Sequence, residues 1–145
     1  MILYLDTSAL VKRYFKEEYS EEVVSRWQQA EEIVTSSVAY AETMASFYRK
    51  TREVKLSHGF IGEITELFRA DWGSFIRVEV NDELNRYIDM VIRKHPLRGF
   101  DAIHLASALV IHERLPEDFL FVCFDNKLAL AAHEEGLITF PDLTQ

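Results

Sequence analysis

Five short apolar runs alternate along this chain with longer segments of helical periodicity, and that alternation limits the folds it can adopt. The runs cover residues 2 to 5, 33 to 36, 75 to 80, 119 to 124 and 137 to 140. They are rich in Val, Ile, Leu and Phe, which is typical of strands that are buried on both faces. Because strands separated by one or two helices need crossover connections, this order predicts an α/β sandwich built on a mostly parallel sheet.

Helical segments fill the spaces between these runs. The predicted helices cover residues 8 to 15, 21 to 30, 38 to 52, 58 to 72, 82 to 94, 101 to 115 and 126 to 135. Ser57 and Asn81 are expected to cap the fourth and fifth helices, because their short polar side chains accept hydrogen bonds from main-chain amides. Pro96 follows the fifth helix and Gly136 ends the last one, and both residue types stop helices.

Length and composition indicate one domain. A chain of 145 residues with 48% hydrophobic content is large enough for a single core. The run at 2 to 5 is too short for a signal-peptide core, and no apolar stretch approaches the ~20 residues that cross a bilayer. We therefore expect a cytoplasmic protein with no membrane contact. The single cysteine, Cys123, excludes an intrachain disulfide and is interpreted as a small buried hydrophobe rather than a catalytic thiol.

The net charge of -8 argues against a protein that coats nucleic acid without selection, because such affinity comes from Lys and Arg that neutralise phosphates. A nuclease is still compatible with this charge, because cationic residues cluster locally. Three groups stand out: Lys12, Arg13 and Lys16; Arg49, Lys50, Arg52 and Lys55; and Arg93, Lys94, His95 and Arg98. The alternative for each group is a solvated helix end, where cations favour the negative pole of the helix dipole.

Four acidic residues stand where apolar segments end or begin. Asp6 follows the first run, Asp125 follows the fourth, Asp101 opens an apolar helix, and Glu42 interrupts the apolar face of another. A buried carboxylate costs several kcal/mol unless it is paired or bound to a cation. In open α/β sheets the ligand crevice lies beyond the carboxyl ends of the strands. If the fold gathers these acids there, a hard divalent cation is the simplest remedy for their repulsion.

Each acid also has a structural alternative. Asp101 and Asp125 can be capping or first-turn residues, which the helix dipole favours in any protein. The acid within the third helix can be an ordinary exposed glutamate. Asp6 also precedes a helix, but Thr7 and Ser8 can each cap that helix, so Asp6 is not needed as the cap. Thr7 and Ser8 can otherwise hold a metal-bound water or a phosphate.

His104 lies three residues after Asp101 and can contact a phosphate or a metal. Because Ala108 stands four residues further on, a zinc-type histidine pair is absent, and a hydrogen-bonded structural role is favoured. The five glycines are dispersed, so no glycine-rich phosphate loop is present, and no G-x-S-x-G nucleophile elbow occurs. These absences exclude nucleoside-triphosphatase and serine-hydrolase functions.

Four segments together resemble the PIN-domain family, specifically the VapC-like toxins of bacterial and archaeal toxin-antitoxin modules. They are residues 2 to 10 (ILYLDTSAL), 35 to 42 (TSSVAYAE), 97 to 107 (LRGFDAIHLAS) and 124 to 128 (FDNKL). Each motif is weak alone, but four in this order and spacing are specific. The resemblance covers essentially the whole chain, so residues 1 to 145 would form a single PIN-like nuclease domain.

The resemblance implies an endoribonuclease that uses Mg²⁺ or Mn²⁺ and leaves a 5'-phosphate and a 3'-hydroxyl. Its catalytic and metal-binding positions would be Asp6, Glu42, Asp101 and Asp125. It also implies a three-layer sandwich with a five-stranded parallel sheet, homodimerisation, an RNA substrate, and a cognate antitoxin that covers the site. The family often has Ser or Thr two residues before its last acid, where this chain has Cys123.

Two other functions stay open at this level. A catalytically silent PIN-like module would bind RNA or protein without cleaving it. A phosphatase or receiver-like protein would be phosphorylated on Asp6, but Ser8 stands where a phosphatase of that type would carry a second Asp.

Overall fold

Within residues 1–116 and 118–142, which this computed structural model describes, five strands and seven helices follow the predicted alternation. The strands are β1 (Ile2–Leu5), β2 (Glu32–Ser36), β3 (Ile76–Val78), β4 (Phe119–Val122) and β5 (Ile138–Phe140). The helices are α1 (Thr7–Tyr14), α2 (Ser20–Gln29), α3 (Ala39–Val54), α4 (His58–Trp72), α5 (Asp82–Lys94), α6 (Gly99–Arg114) and α7 (Asn126–Glu134).

The sheet has the strand order β3-β2-β1-β4-β5, and all four pairings are parallel. β1 is central: Leu3 pairs with Ile33 of β2 and with Leu120 of β4. The chain extends the sheet to one side through β2 and β3, then returns past β1 to build β4 and β5. The predicted five-stranded α/β sheet is confirmed, and it is wholly rather than mostly parallel.

The two faces of the sheet are covered by different helices. Leu3 and Leu5 belong to a cluster with buried residues of α1 to α4, whereas Tyr4 packs with residues of α5, α6 and α7. Successive side chains of β1 therefore enter opposite layers, as the two-residue period of a strand requires. The result is the expected three-layer sandwich. No helix in the described part of the chain is long and apolar enough to cross a membrane.

Several local predictions are confirmed. The Ser57 hydroxyl accepts a hydrogen bond from the Phe60 amide, and the Asn81 side chain accepts one from the Leu84 amide. Gly136 has a φ of 90°, in the left-handed region that glycine enters without strain, just beyond the end of α7. Cys123 is buried.

Most predicted boundaries differ from the structure by one or two residues, and two of these differences matter for the site. β4 ends at Val122 rather than residue 124, because its partner strand β5 ends at Phe140, which pairs with Val122 and accepts the last ladder hydrogen bond from the Cys123 amide. α6 begins at Gly99 rather than Asp101, because the Arg98 carbonyl already accepts the first helical hydrogen bond, from Ala102. Asp101 therefore lies inside the first turn.

Candidate active site

The carboxyl ends of β1 and β4 lie side by side at the point where the chain reverses its direction across the sheet. Ser8 joins these two ends. Its hydroxyl donates to Oδ1 of Asp6 (2.7 Å) and accepts a hydrogen bond from the Phe124 amide (3.0 Å). Ligand crevices of open α/β sheets form at such switch points, and the candidate site lies here.

Asp6 is the N-cap of α1, although Thr7 and Ser8 were also able to take that position by local rules. Its Oδ1 accepts a hydrogen bond from the Ala9 amide at 3.0 Å, and its side chain is only 5% exposed. Thr7 and Ser8 do not cap the helix because their hydroxyls have other partners. Ser8 bridges the two strand ends, and the Thr7 hydroxyl donates to Glu42.

Burial makes Asp6 an unusual carboxyl group. Loss of hydration raises its pKa from 3.8 to about 6, and the negative charge of Asp101 acts in the same direction. Two effects lower the pKa of Asp6 but do not cancel this rise. They are the positive charge of a protonated His104 and the hydrogen bonds from Ser8 and Ala9. A cation beside Asp6 would therefore relieve a real electrostatic penalty.

Asp101 projects from the first turn of α6 and is half-buried. It makes no hydrogen bond or ion pair with any residue that the structure describes. Burial raises its pKa, the charges of Asp125 and Glu42 raise it further, and His104 and Arg98 oppose them. The interactions of Asp101 with Asp6, Glu42 and Asp125 indicate that the fold brings all four predicted acids to one region.

Glu42 differs from the aspartates because it is well supplied with donors. Its Oε1 accepts hydrogen bonds from the Thr7 hydroxyl (2.7 Å) and from Nε2 of His104 (2.8 Å). Burial raises the pKa of Glu42, but the His104 hydrogen bond, the charge of that ring when protonated and the Thr7 hydrogen bond outweigh it. The pKa therefore lies below its ordinary value.

His104 is hydrogen-bonded as predicted, but its place in the site was missed. Its Nδ1 lies 2.9 Å from the Tyr4 hydroxyl, and the Nε2 side faces Glu42. These contacts join residues 100 and 62 positions apart in sequence. The sequence did contain a signal for these contacts, because Tyr4 and His104 are polar residues within apolar segments. A hydroxyl and an imidazole that are buried in an apolar layer must find hydrogen-bond partners.

Asp125 is the N-cap of α7, as its structural alternative predicts. Its Oδ1 accepts a hydrogen bond from the Leu128 amide at 2.9 Å, and the residue is exposed at the rim. The nearby Cys123 thiol donates to the main-chain carbonyl of Asp125 (3.7 Å). Burial is the main cause that raises the pKa of this thiol. The thiol therefore stays protonated and does not act as a nucleophile.

An open groove of about 510 Å³ leads away from the acids between α1 and α3. Thr7, Ser8, Glu42 and Phe124 line its inner end, and Lys12, Arg49 and Lys50 line its wall. Glu17 holds two of these cations, with ion pairs of 3.3 Å to Lys12 and 3.0 Å to Lys50. The groove thus offers positive charge beside a negative centre.

A second cleft opens on the other side of Glu42 and Asp101. Its wall contains Phe100 and Ile103, and Phe100 is 57% exposed. Arg98 stands at the same rim. The acids therefore lie between a cationic groove and an apolar cleft that ends in an exposed aromatic ring.

The donor chemistry of the site suits a hard divalent cation, because such ions prefer carboxylate oxygens. Asp6 and Asp125 each use Oδ1 as a helix cap, and Oδ2 of each accepts no hydrogen bond from the described residues. Among residues 1–116 and 118–142, however, no three His, Cys, Asp or Glu side chains form a finished metal cage. Asp6, Asp101 and Asp125 fit the ion in charge and donor type, and their oxygens would draw together to hold it.

Comparisons with known proteins bear on the family and the fold. The family model for the PIN domain matches residues 3–134. Ribonuclease VapC45 of Mycobacterium tuberculosis is 27% identical over 140 residues, which cover 97% of this chain and 95% of that protein. The crystal structure of FitAcB from Neisseria gonorrhoeae has a TM-score of 0.68 at 15% identity, with 100% of both chains covered. The crystal structure of VapBC2 from Rickettsia felis, bound to a DNA fragment from the VapBC2 promoter, has a TM-score of 0.62 at 14% identity. The match covers 96% of this chain and 97% of that chain. At these identities, the two structures bear on the fold alone.

We expect Asp6→Asn to raise the free energy of unfolding of the metal-free protein at high pH. The Asn oxygen can still cap α1, while the buried charge is removed. The folded-state pKa is about 6, against 3.8 for an exposed aspartate, so the folded state binds this proton more tightly than the unfolded state. The wild-type penalty is therefore absent below about pH 4 and complete above about pH 6, where it reaches about 3 kcal/mol.

Chemical denaturation in EDTA at several pH values measures this difference. Asp82→Asn is the matched control, because Asp82 is an exposed acid in the first turn of α5. The control should show no gain at high pH. An Asp6→Asn variant that is less stable than wild type at about pH 8 would mean that the cap, not the buried charge, dominates at this position.

Proposed function

Since the chain belongs to the PIN-domain family, we propose that it is a Mg²⁺- or Mn²⁺-dependent endoribonuclease, the toxin of a toxin-antitoxin module. One observation carries the proposal: Asp101 has no partner among the described residues and lies within the field of Asp6, Glu42 and Asp125. The proposal includes a single nuclease domain over residues 1 to 145 and a cytoplasmic location. It also includes a homodimer, and a sedimentation experiment would measure its mass.

The four acids have distinct roles in this proposal. Asp6, Asp101 and Asp125 hold the cation, and Glu42 completes the site with the oxygen that its two hydrogen bonds leave open. When bound, a divalent cation lowers the pKa of a water and neutralises charge that develops on the scissile phosphate. Ser8 keeps Asp6 fixed relative to the end of β4, and such preorganisation is what catalytic electrostatics require.

The surroundings of the acids suit a single RNA strand. Lys12, Arg49 and Lys50 can contact successive phosphates along the groove, because cations that track the backbone supply most of the affinity for nucleic acid. The exposed ring of Phe100 stands on the other side of Asp101. Unpaired bases stack on such rings, so a strand can cross the acids between the groove and this residue.

We expect the purified protein to cleave single-stranded RNA with Mg²⁺ or Mn²⁺ and to lose that activity in excess EDTA. Asp101→Asn should lower the cleavage rate at least ~10²-fold, because a preorganised charge is removed from the catalytic centre. Asp82→Asn changes the same residue type in the first turn of α5, far from the site in sequence, and should cleave at the wild-type rate. Gel-resolved cleavage rates and the chemistry of the new RNA ends provide the measurement.

Full activity in excess EDTA would refute the metal-dependent mechanism. RNA binding without any cleavage, under all metal conditions, would instead support the silent binding module. Phosphate transfer from a small phosphodonor to Asp6 would support the receiver-like alternative.

The groove makes a separate prediction about affinity. In the Asp101→Asn background, which prevents cleavage, Lys50→Gln should weaken binding of single-stranded RNA. It should also lower the slope of log affinity against log salt by about 0.7, the value for one lost phosphate contact on a single strand. Arg52→Gln is the control, because Arg52 is exposed on the same helix but does not line the groove. Fluorescence anisotropy over a salt series measures both variants, and equal slopes would place the RNA elsewhere.

A partner must silence such a site while the toxin is stored, and the family resemblance implies a cognate antitoxin. Apolar side chains are exposed on the α3–α4 hairpin: Tyr48, Val54, Phe60 and Leu67. Exposed apolar groups of this kind often mark protein interaction surfaces. We propose that the antitoxin anchors apolar residues on the first four helices and places an Arg or Lys against Asp6 or Asp101.

We expect Leu67→Ser to weaken antitoxin binding while leaving RNA cleavage unchanged, because Leu67 is outside both clefts. Leu115→Ser changes an equally exposed leucine beyond the end of α6 and should bind like wild type. Binding should also weaken as salt increases, because the ionic contact is screened. A structure of the complex with the antitoxin far from all four acids would contradict this arrangement.

A further inference from the structure

A continuous hydrogen-bonded chain runs from the interior of the sheet to the acidic site. The Tyr4 hydroxyl, on a fully buried side chain, lies 2.9 Å from Nδ1 of His104. The other ring nitrogen, Nε2, lies 2.8 Å from Oε1 of Glu42 and 3.5 Å from the Thr7 hydroxyl. Thr7 completes the chain with its 2.7 Å hydrogen bond to the same Oε1.

The chemistry of the groups gives this chain a direction. An ionised carboxylate can only accept hydrogen bonds, so Nε2 of His104 must carry the hydrogen that faces Glu42. In a neutral imidazole, Nδ1 is then an acceptor, and the Tyr4 hydroxyl is the donor that it faces. Two hydroxyls that flank Tyr4, those of Thr35 and Ser107, already donate to the carbonyls of Leu5 (2.6 Å) and Ile103 (2.7 Å).

We propose that Tyr4 and His104 are positioning residues that hold the Glu42 carboxylate in one orientation and present its Oε2 to the divalent cation. This inference rests on the proposed function. Neither residue touches the ion or the substrate. Tyr4 holds the ring, the ring holds Oε1, and Oε2 accepts no hydrogen bond from the part of the chain that the structure describes. Outer hydrogen-bond partners of this kind fix the orientation of metal ligands and tune their affinity.

The location of the chain explains why Glu42 needs such support. Glu42 projects from the first turn of α3, whereas the aspartates Asp6 and Asp125 are locked by the helices that they cap. A glutamate has one more rotatable bond than an aspartate. Within residues 1–116 and 118–142, the donors to this carboxylate are Thr7 and His104, and none is a main-chain amide. His104 in turn is 2% exposed and approaches Glu42 from the α6 layer.

Nitrogen-15 spectra of the His104 ring in the metal-free protein test the direction of the chain without metal or RNA. Wild type should show a protonated Nε2 that is hydrogen-bonded to Glu42. Tyr4→Phe should shift the Nδ1 signal. Tyr14→Phe is the matched control, because it removes a buried hydroxyl that bonds Asp71 in the other layer. An unprotonated Nε2 in wild type, or no shift in Tyr4→Phe, would overturn the proposal.

Calorimetric titration with Mn²⁺ tests the consequence. Tyr4→Phe should raise the Kd for Mn²⁺ about 10-fold, the lower end for loss of an outer partner of a ligand, and Tyr14→Phe should leave it unchanged. Two His104 variants separate positioning from packing. The amide nitrogen of His104→Gln falls near Nε2 and can still donate to Glu42, whereas that of His104→Asn falls near Nδ1 and cannot. We expect Gln to lose no more than the about 10-fold of Tyr4→Phe, because it keeps the donor to Glu42, and Asn to lose about 100-fold.

Equal Kd values for Tyr4→Phe and Tyr14→Phe, or equal losses for the two His104 variants, would overturn the positioning role. A wild-type protein that binds no Mn²⁺ would instead overturn the proposed function, and the ring spectra would still decide the direction of the chain. The two failures are therefore distinguishable.

Discussion

Ser8 connects the ends of two neighbouring parallel strands through one hydroxyl, which donates to Asp6 and accepts from the Phe124 amide. The strand order makes this contact possible, because β1 and β4 are adjacent although more than a hundred residues separate them. The contact in turn fixes where α1 begins, since Asp6 caps that helix with the same oxygen. The other three predicted acids, Glu42, Asp101 and Asp125, lie at the start of α3, α6 and α7. The rest of the fold brings the starts of these three helices to the junction.

Three of the four acids near this junction fall into two electrostatic kinds. Asp6 and Asp101 have raised pKa values because burial and neighbouring carboxylates disfavour their charges. Glu42 has a lowered pKa because two donors hold its charge in place. A site of four similar carboxylates would repel itself uniformly. Here burial and repulsion raise the pKa of Asp6 and of Asp101, and a cation beside these two acids gives the most relief.

The sequence predicts the fold well because its signals are local. Apolar runs, capping residues such as Ser57 and Asn81, and Gly136 each report the conformation of a few neighbouring residues. The part of the site that depends on long-range contact was less accessible. Thr7, Ser8 and Asp6 could all cap α1 by local rules, and only the adjacency of β4 shows that Ser8 has another role. The partnership of Tyr4, His104 and Glu42 likewise needs the packing of α6 against the sheet, which no local pattern contains.

The same geometry links the proposed activity to stability. Gathering unpaired carboxylates makes the metal-free fold less stable than its core alone would allow, as functional sites commonly do. A cation that binds only the folded protein returns RT ln(1 + [L]/Kd), roughly 2.7 kcal/mol at a hundredfold excess over Kd. That amount is similar to the ~3 kcal/mol that the pKa of Asp6 implies for its buried charge. A cation at that excess over Kd therefore offsets the burial of Asp6. The site can then be dry enough to make charges effective without unfolding the protein.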